Sequence, residues 1–237
     1  NTPTDDIAVP VAEATVGLWL AITKRIVEGD RAVRAGKFKG WEPLGWWEAD
    51  SAGKTFGILG LGRIGKEAAK RLQVWEMKVL YYDSQKATSK EKRRLKVKYT
   101  SLETLLRESD FISLHVPLNN KTYHLIGERE FNLMKPTAYL INDARGAVID
   151  EKALVKALKE KRIAGVALDV YEFEPDVSVE LLELDNVVLT PHLAGATWRA
   201  RVGPVIMAAK NLLAGVKGEI PPNIVNKELL TAQKEQS

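Results

Sequence analysis

Residues 57–65 read GILGLGRIG, and Gly60, Gly62 and Gly65 within them form a G-x-G-x-x-G pattern. In a chain with 17 glycines that pattern alone decides little. Its neighbours decide it. A short apolar run, Thr55–Leu59, leads into the glycines, and a helical segment, Ile64–Gln73, follows them. A second apolar run, Lys78–Tyr82, then ends at Asp83, 18 positions beyond Gly65. Strand, glycine turn, helix, strand and acid together describe a dinucleotide site. Gly60 permits the tight turn, Gly62 lets a pyrophosphate approach the backbone, and Gly65 lets helix and strand pack closely. The helix N-terminus offers unpaired N–H groups to the anion. Asp83 is expected to accept hydrogen bonds from the adenosine ribose and to repel a 2′-phosphate. That favours NAD over NADP, although Lys86 lies close by. The competing reading, a tight turn beside a surface Asp, does not account for all four features at once.

Outward from this unit, apolar runs and helical segments alternate. Further strands are expected at Phe111–His115, Ala138–Asn142, Ala164–Val170 and Val187–Thr190. Helices are expected at Leu102–Arg107, Glu128–Leu133, Glu151–Lys159 and Pro204–Ala214. Such alternation implies right-handed crossovers and an α/β fold of the Rossmann type, a doubly wound parallel sheet covered on both faces. Before the glycines, Asp5 and Asp6 are candidate caps and Pro10 suits a first helical turn. Val11–Ile26 reads as a buried helix and Asp30–Phe38 as a second, short one. Gly40–Gly53 reads as a loop holding Trp41, Trp46 and Trp47, and IPPNIVN near the C-terminus as an extended exit.

Composition narrows the function classes. Among 237 residues 45% are hydrophobic and 28% charged, enough for a sizeable core. The net charge of +4 is modest, and the basic run Lys86–Lys98 meets no aromatic residue before Tyr99. We read that run as a solvated helix face, so no nucleic-acid partner is expected. The absence of cysteine excludes disulfides, thiolate metal sites and a Cys nucleophile, and no metal is expected. No apolar run reaches the about 18 residues of a membrane span. The lack of cysteine suits a cytoplasmic protein, and the start NTPTDD, without Met or a signal-like pattern, suggests a processed or truncated chain.

Only three histidines can serve acid–base chemistry: His115, His124 and His192. His192, in LTPHLAGAT, follows a strand end, where doubly wound sheets place their ligands. On position alone it reads equally as a capped loop residue. His115, in SLHVPL, reads as wall packing near the adenosine half of the site. His124, in KTYHLIG, reads as structural or exposed.

The ordered set GILGLGRIG, Asp83, LHVPLNNKTYHLIG, LINDARGAVIDEKAL, AGVALDVYEFEP and LTPHLAGAT closely resembles the D-isomer-specific 2-hydroxyacid dehydrogenases, over nearly the whole chain. GKFKGWEP and KGEIPPNIVN look most like the glyoxylate/hydroxypyruvate reductase branch. The resemblance implies an NAD-dependent enzyme that reduces a small 2-oxo acid. It makes Arg145 the group that binds the substrate carboxylate and polarises the carbonyl, His192 the acid/base, and Glu174 its carboxylate partner. Arg145 as a surface ion pair, and Glu172 in place of Glu174, remain alternatives. It places Asp169 against the nicotinamide carboxamide, with backbone around Asp143, Ala144 and Arg145. It sets Arg63 and Ile64 against the pyrophosphate, His115, Val116, Pro117 and Thr122 along the adenosine side, and Gly195 after the catalytic loop. Trp41 is expected to reach a neighbouring subunit's substrate pocket.

Two departures stand out. Asp143 stands where the family often has Thr, Cys, Val or Ala, and Trp75-Glu76-Met77 stands where it often has Phe-Gly-Met. Glu76 is therefore expected to end its helix less comfortably than Gly. In the family a substrate domain precedes NTP, and nothing here matches it. We therefore expect a coenzyme domain with dimerisation helix and arm at 1–203, and a helix and tail at 204–237 that return to the largely absent substrate domain. A homodimer is expected, because the first helix would otherwise lie uncovered. Phosphoglycerate or phosphite as substrate, and an NAD-sensing corepressor, are the alternatives. Intact Arg145, Glu174 and His192 favour the enzyme.

Overall fold

A computed structural model of the chain describes residues 7–41, 43 and 45–226, so the expected caps at Asp5 and Asp6 lie outside the described residues. Two compact units divide at Ala194/Gly195. The larger, from Val11, holds a seven-stranded sheet: β1 (Thr55–Leu59), β2 (Lys78–Tyr82), β3 (Val97–Tyr99), β4 (Phe111–Leu114), β5 (Tyr139–Asn142), β6 (Gly165–Leu168) and β7 (Val187–Leu189). All neighbours are parallel, in the order β3-β2-β1-β4-β5-β6-β7. The winding direction reverses between β1 and β4, which opens a crevice at their carboxyl ends.

Strand register does more than build the core. Leu59 pairs with Tyr82 and with Leu114, Leu114 with Asn142, Asn142 with Leu168, and Leu168 with Leu189. The next residue of each strand is Gly60, Asp83, His115, Asp143, Asp169 or Thr190. Hydrogen bonding across the sheet thus aligns six polar or glycine positions along one edge, about 24 Å long at the usual strand spacing.

Side chains alternate between two cores. Leu59, Ile112, Leu114, Leu140, Val166 and Leu168 pack with α5 (Leu102–Glu108), α6 (Glu128–Leu133) and α7 (Glu151–Lys159) on one face. Phe56, Ile58, Phe111, Ile141, Ala167 and Val188 pack on the other with α1 (Ala8–Thr23) and α3 (Arg63–Leu72). Trp19 of α1 is fully buried, with ring centroids 5.6 Å from Phe56, 5.3 Å from Phe111 and 5.0 Å from Trp75. Burying Leu18 and Ile22 contributes about 1.5–3 kcal/mol each, so α1 is anchored to its own sheet. The expectation that α1 needs a second copy to cover it is corrected accordingly.

Other elements differ from expectation for local reasons. The second helix, α2, runs Ile26–Arg34 rather than Asp30–Phe38. Arg25, in the left-handed region at φ 51°, breaks it from α1, and Gly36 at φ 68° ends it. The basic run contains α4 (Ser89–Leu95), started by a Thr88/Glu91 capping box, and then the unforeseen edge strand β3. Lysines along an edge strand discourage pairing with another chain. A short α8 (Val179–Leu182) also went unforeseen. Glu76 takes φ 55°, the left-handed conformation that Gly adopts at less cost.

In the smaller unit, α9 spans Trp198–Val216, capped by Thr197, and holds Pro204 in its interior rather than at its start. Among the described residues no helix is long and apolar enough to cross a membrane.

Candidate functional site

The glycine turn is shaped as its spacing implies. Gly60, at φ 96°, donates its N–H to Tyr82 O at 2.8 Å, and a Cβ there would collide with the His115 backbone. A Cβ on Gly65 would strike Gly60 O, which is the close helix–strand approach. A Cβ on Gly62 would meet no protein atom within 4 Å, so the turn is open on that side. Arg63 and Ile64 begin α3 there. Asp83 Oδ2 accepts the Leu61 N–H at 2.7 Å, and Oδ1 accepts the Gln85 N–H at 2.9 Å. The carboxylate is thus oriented at the end of β2, beside the glycine turn. Lys86 stacks its ammonium over the Tyr99 ring at 4.6 Å. These residues fit a dinucleotide: an open backbone turn for the pyrophosphate and a fixed carboxylate for the ribose.

Past β4, Thr122 Oγ1 donates to Pro117 O and accepts the Asn119 N–H at 2.9 Å, which fixes the Val116–Thr122 turn. His115 is different. It shares strand parity with Ser113, and its Nε2 lies 2.9 Å from Ser113 Oγ. Its side chain is only 1% exposed, packed beneath the strand end. Burial pulls its pKa down to about 4.

Asp143 and Asp169 share that parity, following Ile141 and Ala167, and both are buried. Burial pushes the Asp143 carboxyl up to about 7, opposed by its Thr15 hydrogen bond and reinforced by the Asp169 charge. Asp169, 1% exposed, accepts the Leu193 and Ala194 N–H groups, both at 2.8 Å, and the Thr190 hydroxyl at 2.5 Å. It holds the loop that carries His192.

His192 takes φ 51° and donates its own N–H to Asp169 O at 2.9 Å. A left-handed non-glycine residue held by several bonds is the strained geometry often found at working sites. Its Nδ1 lies 2.8 Å from Glu174 Oε2, while Glu174 Oε1 accepts the Tyr171 N–H at 3.0 Å. Burial works against ionising Glu174. The His192 and Tyr171 hydrogen bonds and the Arg145 charge outweigh it and hold the carboxyl below its ordinary value. Glu172 instead lies 2.7 Å from His124 Nε2, so the structure separates the two glutamates.

Arg145, exposed, begins the turn that Gly146 lays directly on the Tyr171 carbonyl, where a Cβ would not fit. Asn142, which sequence reasoning passed over, braces this turn: its Nδ2 donates to Arg145 O at 3.0 Å and its Oδ1 accepts Ala144 N–H at 3.1 Å. Its only signal was a polar residue closing an apolar strand. Tyr171, also missed, donates its hydroxyl to Thr190 O at 2.9 Å. Trp41, 87% exposed, lies in the arm, and Gly195 falls in the smaller unit.

Residues 16–194 match the family described as D-isomer specific 2-hydroxyacid dehydrogenase, NAD binding domain. The chain belongs to that family. A glyoxylate reductase of Thermococcus litoralis is 52% identical over 236 residues, covering 98% of this chain and 71% of the relative. A solved protein of Thermus thermophilus superposes with TM-score 0.87 at 38% identity, covering 95% of this chain and 70% of that one. A glyoxylate reductase from Paecilomyes thermophila superposes with TM-score 0.83 at 36% identity, covering 96% and 67%. This 2-hydroxyacid dehydrogenase chain is an NAD-dependent oxidoreductase that transfers hydride between the nicotinamide and a small 2-oxo or 2-hydroxy acid.

Proposed function

We propose that the chain carries the coenzyme half and the acid–base pair of a cytoplasmic, homodimeric glyoxylate or hydroxypyruvate reductase. The observation that carries this reading is the His192–Glu174 pair, 2.8 Å apart, with the Arg145 charge beside Glu174. Gly60, Gly62, Arg63, Ile64 and Gly65 hold the pyrophosphate, and Asp83 the adenosine ribose. Bound NADH supplies the hydride that the 2-oxo carbon receives. Arg145 grips the substrate carboxylate through its guanidinium fork and draws charge from the carbonyl, which a lysine does less well. His192 gives its proton to the carbonyl oxygen, and Glu174 favours the imidazolium and fixes the ring. In the oxidation direction the same imidazole takes the proton back.

The dimer is supported by the exposed arm rather than by α1. Phe38, Trp41, Trp46 and Trp47 are all solvent-exposed, with Trp46 under the Arg25 guanidinium at 4.8 Å. Closed two-fold contacts are the commonest way to cover such a surface, and Trp41 then reaches the partner's substrate pocket. We keep 1–203 as the coenzyme domain with its arm and 204–237 as the segment that reaches the substrate domain.

The test is initial-rate oxidation of NADH and NADPH by the enzyme with glyoxylate, hydroxypyruvate and a phosphorylated 2-oxo acid. The small acids with NADH should give the highest kcat/KM. Arg145→Lys should lower kcat/KM by about a hundredfold, as loss of a bidentate contact implies. A preference for the phosphorylated acid, or an unaffected Arg145→Lys enzyme, contradicts the reading.

A further inference from the structure

Three side chains beneath the Arg145 turn form a cluster that the reaction described above leaves unused. Thr15 of α1, His115 after β4 and Asp143 after β5 are all closed to solvent in their side chains. Thr15 Oγ1 lies 3.0 Å from Val11 O and also makes a hydrogen bond with Asp143 Oδ2. A hydroxyl has one proton and two lone pairs. That proton serves Asp143 Oδ2 or the Val11 carbonyl, one at a time. The other carboxyl oxygen, Oδ1, faces His115 Nδ1 at 3.5 Å, and neither atom has a closer partner. An ionised carboxylate here would be a buried charge with the Thr15 hydroxyl on Oδ2 and no hydrogen bond on Oδ1, which is costly. The titratable groups around Asp143 are His115 from β4 and Asp169 from β6, and α1 contributes the Thr15 hydroxyl. Asp169, as an anion, adds to the cost of a second negative charge.

We propose that Asp143 is a neutral tie from the Arg145 turn to helix α1, and that Thr15 and Asp143 act as positioning residues for Arg145. This rests on the reading of Arg145 as the substrate-carboxylate group. Asp143 lies two residues before Arg145, and Asn142 already fixes the turn from the strand side. The Thr15 tie supplies the second anchor, from the opposite layer. Held neutral, the Asp143 carboxyl works here as an amide would.

The experiment compares Asp143→Asn, Asp143→Leu and Thr15→Val in the enzyme. Asn keeps a donor of the same shape without the charge, whereas Leu keeps only the volume. Asp143→Asn should keep KM for the 2-oxo acid within about threefold, while Asp143→Leu and Thr15→Val raise it about tenfold with KM for NADH little changed. Thermal melts read protonation separately. The folded state holds a proton on Asp143 that the unfolded chain releases above the ordinary carboxylate range. Wild-type stability from this group therefore falls as pH rises toward about 7 and is lowest beyond it. The Tm of Asp143→Asn should exceed wild type above pH 7, with the advantage shrinking as pH falls to 5. A Tm difference constant across that range, or an Asn variant as impaired as Leu, overturns the proposal. An Arg145→Ala enzyme with unchanged 2-oxo-acid KM overturns the reading of Arg145 and the positioning role with it. The melts then still report the protonation of Asp143 independently.

Discussion

Among the described residues two histidine–glutamate pairs have glutamates two residues apart, Glu172 with His124 and Glu174 with His192. Their direct contacts are nearly equal, 2.7 and 2.8 Å, so distance does not separate them. The remaining bonds do. Glu172 is 8% exposed in its side chain, accepts Glu151 N–H at 3.0 Å, and its own N–H returns to Glu151 Oε2 at 3.1 Å. His124 stacks on Tyr123 at 3.9 Å, and its second nitrogen stands 4.0 Å from Asp150. Both its nitrogens face carboxylates. His192 is 52% exposed, and its Nε2 has no hydrogen bond among the described residues. One pair clasps two backbone segments, and the other leaves a nitrogen available to a reacting oxygen. A histidine–carboxylate contact thus identifies a proton donor only when the far nitrogen is uncommitted.

The largest effect that would break this comparison is in kcat. His192→Gln should lower kcat by about 10²–10⁴, the range of a lost general acid, with KM for NADH nearly unchanged. His124→Gln should leave kcat within about threefold, because its ring touches no reacting atom. Equal losses in the two variants would dissolve the distinction.

A smaller effect sharpens it. Glu172→Gln keeps the shape but weakens the His124 contact, so the clasp should lose about 1 kcal/mol, a Tm decrease of roughly 2–4 °C for a chain of this size. Glu174→Gln should change Tm less, because its pair is exposed on both sides. Differential scanning calorimetry of the two variants reads this directly. A larger Tm loss in Glu174→Gln would reverse the assignment of clasp and acid.

How much of this was legible beforehand depended on range. The glycine turn, Asp83 and the strand–helix alternation are local, and backbone chemistry within a few residues dictates them. Arg145, Glu174 and His192 came from motif order, and register brings them to one edge of the sheet. Strand β3 was hidden because a charged edge strand follows a charged helix without a change of composition. The burial of His115, Asp143 and Asp169 was missed for a different reason. Whether a polar residue after a strand faces a cleft or a covering helix depends on parity and on α1, which lies over a hundred positions away in sequence for Asp143. Polar groups that a distant helix satisfies, as Thr15 does for Asp143, leave no local pattern. The same holds for Asn142, whose bracing is visible only once the Arg145 turn exists.

The pH dependence of 2-oxo-acid reduction in Glu174→Gln and Glu172→Gln, measured side by side as kcat/KM, tests the central claim most directly. Reduction requires a proton on His192, and the Glu174 carboxylate favours that form. The alkaline limb should therefore move to lower pH in Glu174→Gln and stay at the wild-type position in Glu172→Gln. A Glu174→Gln profile superimposable on wild type, or a shift confined to Glu172→Gln, would contradict the assignment of His192 and Glu174 as the acid–base pair.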